Sequence, residues 1–83
     1  MPERRTLITI NEYGKVRLKL KEILDAREMS RYALSQAVHT RFEVIDKWCN
    51  GNVEKLDLDV LARICYVLDC EVSDLLVYKK TEV

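Results

Sequence analysis

Cys49, Cys65, Cys70 and His39 are the side chains that could ligate a metal or attack an electrophile. Their spacing supports neither chemistry. No Cys-x-x-Cys pair occurs, the cysteines are odd in number, and a single histidine cannot complete the ligand pairs that close a structural zinc site. His39 and Cys49 stand ten residues apart, on either side of a turn and a helix, so spacing gives neither a catalytic partner. A Gly-rich phosphate loop, a His-Glu-x-x-His motif and paired catalytic carboxylates are all missing from the sequence. Each cysteine lies among apolar neighbours and reads as a reduced thiol packing as a small hydrophobe. The expectation is a protein that is not an enzyme, with no cofactor and no metal.

A second constellation has more order. Ser30 to Gly51, SRYALSQAVHTRFEVIDKWCNG, reads as a short helix, a turn and a second short helix. Ser30 suits an N-cap, its hydroxyl accepting from the backbone of Tyr32 or Ala33. Leu34 and Val38, four apart, mark the buried side of the first of these helices, and the small residues Ala33, Ser35 and Ala37 allow a close neighbour. Thr40 is expected to cap the next helix, Arg41 to Asn50, with Ile45, Trp48 and Cys49 facing inward and Gly51 closing it in the left-handed region. A helix–turn–helix is one of the few small motifs whose shape suggests a task, the placing of a helix in the DNA major groove.

These elements need a domain to hold them. Eighty-three residues, 48% apolar and 34% charged, make one globular unit rather than a disordered chain. Pro2, Gly14 and Gly51 are the only strong chain breakers, which favours helices over a turn-rich β fold. Thr6 to Ile10 is β-branched and suits an arm or short strand. An extended stretch then passes into a first helix from about Leu18 to Arg27, with Leu20, Ile23, Leu24 and Arg27 down one side. A fourth helix begins at Asp57 or the residue before it and carries Leu61, Ile64, Cys65 and Leu68 at core spacing. Ser73 is expected to cap a short fifth helix whose Leu75 and Leu76 fold back onto the core. The polar tail from Tyr78 is expected to be loose. The fold expected is all-α and compact, with five helices over residues 16–77, an N-terminal extended segment at 1–15 and a tail at 78–83.

Charge bears on the partner. The net charge is zero, against the basic balance common in nucleic-acid binders. Its distribution is uneven: residues 1–27 sum to +3, residues 28–55 to zero and residues 56–83 to −3. Acid is concentrated away from Arg41 to Asn50, which lets one face stay attractive to phosphates. The N-terminal apolar run is five residues long, too short for a secretion signal, and no window approaches a membrane span. A cytoplasmic protein that does not engage membranes is expected.

Taken together, the caps and stripes resemble the Cro/phage-repressor type of helix–turn–helix domain, in particular its small stand-alone bacterial members. The resemblance covers about residues 16–77. It rests on Ser30, Arg31, Leu34 and Ser35 in the second helix, on Ile45, Trp48, Asn50 and Gly51 in the third, and on LDLDVLARICYVLDCEVSDLL beyond. Three departures from the pattern involve four positions. His39 stands where glycine is common in the turn, Cys49 where glutamate is frequent, and Glu43 and Asp46 add acid to the third helix.

The resemblance implies that Arg41 to Asn50 is the recognition helix of a sequence-specific transcriptional regulator. Arg41, Phe42, Glu43 and Lys47 would then face base edges. Arg41 or Lys47 would donate to guanine, Glu43 would accept from cytosine, and Phe42 would pack on a thymine methyl. Arg31, Tyr32, Asn50 and Lys55 would lie near phosphates. A few base contacts bury too little surface for tight binding by one copy, so a homodimer on double-stranded DNA is expected, through Leu7–Ile10 or the C-terminal helices. No small-molecule ligand is evident.

Each residue also has a plainer reading. Arg31 and Lys55 serve equally as solvated charges. Phe42 either reads bases or turns inward with Ile45, and Glu43 also suits the start of a helix dipole. Trp48 reads as core rather than as a stacking platform, and Tyr32 either meets a phosphate or covers the first helix. The alternative function is a protein-interaction module that kept the fold with weak or no DNA affinity.

Overall fold

The computed structural model describes residues 13–80. The chain runs β1 (Lys15–Leu18), α1 (Leu20–Arg27), α2 (Arg31–Ala37), α3 (Phe42–Asn50), α4 (Leu58–Leu68), α5 (Val72–Leu75) and β2 (Leu76–Lys79). Its core comes from one stripe of each helix: Leu20 and Leu24, Leu34 and Val38, Ile45 and Trp48, Leu61, Ile64 and Leu68, and Leu75, all buried. These are the 3–4 spacings of amphipathic helices, so the inward side of every element was set by periodicity.

The fold is not purely all-α. β1 and β2 pair antiparallel, with Val16 opposite Tyr78 and Leu18 opposite Leu76. The expected loose tail from Tyr78 is therefore a strand as far as Lys79, and boundaries at 15/16 and 77/78 would cut both strands. Alternation of Val16 and Leu18 with Arg17 and Lys19 was the available signal for β1, but its partner lies about sixty residues away in sequence. The ribbon is sealed at one end by Gly14, whose N–H donates to Tyr78 Oη at 2.9 Å. A Cβ at Gly14 would overlap the Lys79 carbonyl, so the close approach requires glycine. The segment Thr6 to Ile10, expected to be an arm or strand, lies outside the described residues.

Helix ends follow their cap chemistry. Ser30 Oγ accepts from Ala33 N at 2.9 Å, as its position implied. Asp57 caps α4, accepting from Asp59 N and Val60 N. Two expected caps are corrected. Arg41, not Thr40, is the N-cap residue of α3, which starts at Phe42. Ser73 lies within α5, where Glu71 is the N-cap residue and donates its N–H to Asp74 Oδ2 at 2.9 Å. Leu18 belongs to β1 rather than to α1, and Lys19 N donates to Leu75 O at 2.8 Å, tying the start of α1 to α5.

Candidate nucleic-acid interface

α3 has two distinct sides. Ile45, Trp48 and Cys49 are buried, while Phe42, Glu43, Lys47 and Asn50 are exposed. Trp48, 4% exposed, is core. Phe42 is 43% exposed and does not turn inward, so its ring stays at the surface beside Glu43. Arg41 precedes the helix in extended conformation and is also exposed. All four expected base readers are thus exposed to solvent. Cys49 is buried, and desolvation pushes its thiol above the usual range, in keeping with its reading as a packed hydrophobe.

The turn before α3 survives without glycine. His39 takes the left-handed region, with φ of 57°. Thr40 N donates to Ser35 O at 3.0 Å, and the buried Ser35 donates through Oγ to Tyr32 O at 2.7 Å. Arg63, from α4, reaches the same turn and donates to the carbonyls of Val38 at 3.1 Å and His39 at 3.3 Å. The same side chain pairs with Asp59 at 2.8 Å. Carbonyls at a helix C-terminus lack intrahelical partners, so this cation satisfies two groups that the turn leaves open. Sequence reading missed Arg63, because its target lies more than twenty residues upstream.

The expected phosphate contacts divide. Arg31 donates to Asp46 Oδ1 at 2.6 Å and to Asn50 Oδ1 at 3.1 Å, and Asn50 Nδ2 approaches Asp46 Oδ2 at 3.4 Å. The structure therefore brings Arg31 and Asn50 together, but around a carboxylate. That hydrogen bond is the main reason the Arg31 guanidinium holds its proton even more firmly than usual. Tyr32, next to Arg31 in sequence, is 62% exposed. Lys55 lies elsewhere, along a groove between α3 and the loop to α4 that Lys47 also lines, with Glu54 and Asp57. Arg41, Lys47 and Lys55 make no ion pair among the described residues. The α2–α3 motif thus offers two exposed cations outside any ion pair, Arg41 and Lys47, one committed cation and an acid at Glu43, with Lys55 adding a third cation from the loop to α4.

The arrangement of α2, the turn and α3, with α4 and α5 behind, can be set against known proteins. The family profile of the Cro/C1-type helix–turn–helix DNA-binding domain matches residues 19–81. The chain belongs to that family. The matched span takes in every helix and β2, so the Cro/C1-type assignment covers the described fold apart from β1.

Solved structures agree on the fold. The transcriptional regulator VanUg is 26% identical and superposes with a TM-score of 0.67, over 94% of this chain and all of that one. A candidate DNA-binding protein from Bacteroides fragilis, 17% identical, superposes with the same score of 0.67 over 76% of this chain and all of that one. No protein of curated function matches the chain. Among the described residues no helix is long and apolar enough to cross a membrane.

Proposed function

We propose that this Cro/C1-type domain is a sequence-specific transcriptional regulator that sets α3 in the major groove and acts as a homodimer. One observation carries the reading: Phe42, Glu43 and Lys47 of α3 and Arg41 just before it are all exposed, while Ile45 and Trp48 of the same helix are anchored in the core. A rigid helix displaying a donor, an apolar ring, an acceptor and an ammonium can distinguish base pairs by their major-groove edges. Lys55 is assigned to a phosphate; on random sequence, with no matching base to read, Arg41 and Lys47 also fall to phosphates. Arg31 contributes less than its position suggests, because Asp46 already holds it. Nonspecific affinity is accordingly modest, and specificity depends on direct base contact by two copies.

A salt titration with random-sequence duplex tests this. Binding at ~50 mM salt that weakens linearly on a log–log plot is expected, with a slope near −3 per protomer for about three neutralised phosphates. Duplexes recovered from a random pool should then share paired half-sites about one helical turn apart. Absence of binding at low salt would refute the proposal and favour a protein-interaction module, a reading supported by the Arg31–Asp46 neutralisation.

A further inference from the structure

A cluster of nucleophilic groups lies apart from α3, at the end of α4. This helix closes on Asp69 in the left-handed region, with φ of 51°. Cys70 N donates to Cys65 O at 3.0 Å and Asp69 N to Tyr66 O at 3.3 Å. These are the two bonds of a Schellman motif, which sets the side chain four places before the left-handed residue against the one immediately after it. In α1 the same motif, closed by Glu28, pairs Leu24 with Met29. That is the usual apolar contact. In α4 both positions are cysteines.

The pair is accessible as well as adjacent. Cys65 and Cys70 are free and partly exposed, whereas Cys49 is buried. The main-chain bond from Cys70 N to Cys65 O holds the two residues side by side at the end of α4. Cys70 also borders a surface groove with Lys19, Arg27 and Asp74, which gives a solute a path to its sulfur. A disulfide spans about 4.4–6.8 Å between Cα atoms, a separation compatible with two residues joined by a main-chain hydrogen bond.

We propose that Cys65 and Cys70 form a reversible dithiol–disulfide site that exchanges with small-molecule disulfides of the glutathione class. One protein thiolate attacks a sulfur of the external disulfide, breaking its S–S bond and releasing one thiol. The second protein thiolate attacks the protein sulfur of that mixed disulfide and expels the other small thiol. The two protein thiols lose two electrons, the external disulfide gains them, and the two protons leave on the released thiols. Burial, then the neighbouring Cys65, pushes the Cys70 thiol up, so the exchange quickens as pH rises from neutral.

The test treats the full chain with oxidised glutathione under mildly alkaline conditions, then alkylates free thiols and digests with trypsin. Cleavage after Arg63 and Lys79 puts Cys65 and Cys70 in one peptide without Cys49. That peptide is expected to resist alkylation and to be lighter by about two daltons than its reduced form. Cys65→Ser and Cys70→Ser should each trap glutathione on the remaining thiol, at least about tenfold more than wild type, while Cys49→Ser behaves as wild type. A circular-dichroism melt identifies any serine variant that has lost the fold, and the wild-type peptide alone then decides. A wild-type peptide that stays fully alkylated, keeps a glutathione adduct, or links to Cys49 or to a second chain overturns the proposal.

Discussion

Asp46 Oδ1 accepts a 2.6 Å hydrogen bond from Arg31, so a carboxylate of α3 neutralises the cation at the front of α2. Both side chains are partly exposed, at 29% and 38%, and both lie on the side of the motif proposed to meet DNA. The pair braces α2 against α3 and, in the same contact, removes a positive charge from the surface.

Asp46→Asn tests that trade. The amide keeps a hydrogen bond to Arg31 and removes the negative charge. Random-duplex affinity at low salt is expected to rise several-fold, and the log–log salt slope to steepen by about one, as Arg31 becomes available to a phosphate. Fluorescence-anisotropy titrations at several salt concentrations measure both. An unchanged slope would mean that Arg31 does not reach the backbone.

Lys47 and Lys55 line one groove yet are assigned different roles. Lys47→Ala should flatten preference among selected duplexes by about 1–3 kcal/mol at the position it reads. Lys55→Ala should weaken all duplexes alike and reduce the salt slope by about one. Equal losses on every sequence from both variants would refute the division.

The turn carries a measurable strain. His39 occupies the left-handed region at a cost glycine would avoid, so His39→Gly is expected to stabilise the fold by about 1 kcal/mol. Arg63→Ala removes the donors to the Val38 and His39 carbonyls and should destabilise by about 1 kcal/mol. Urea denaturation of each variant reads the change. A loss of stability in His39→Gly would show that the imidazole contributes more than its backbone conformation costs.

The ribbon is the most sensitive element to a single methyl group. Gly14→Ala drives a Cβ into the Lys79 carbonyl, and the strands must part to relieve it. A loss of about 1–3 kcal/mol is expected if the ribbon stays closed under strain. If it opens instead, a two-stranded pair has little independent stability. Faster amide hydrogen exchange at Val77 and Lys79, with little change at Ile45 or Ile64, then marks the opening.

Much of this protein was legible from local pattern. The 3–4 spacing of Leu34 and Val38, Ile45 and Trp48, and Leu61, Ile64 and Leu68 gave the inward sides of α2, α3 and α4. Ser30, Asp57 and Gly51 marked helix ends because cap chemistry acts within a few residues. The exposed group Arg41, Phe42, Glu43 and Lys47 follows from the same periodicity, since what does not face the core faces solvent. The caps misplaced at Thr40 and Ser73 show the limit of that logic: a hydroxyl near a helix start is compatible with capping but does not require it.

What the tertiary structure alone decided are relationships across long sequence separations. The pairing of β1 with β2, the reach of Arg63 to the turn and the engagement of Arg31 by Asp46 all join residues on different elements. Periodicity reports which way a side chain points relative to its own helix axis. It does not report which neighbour stands there, because that depends on how the helices cross. By itself the sequence determined the helices, their buried sides and the residues displayed on α3. Packing determined which of the displayed charges remain available to a phosphate, and Arg31 was not among them.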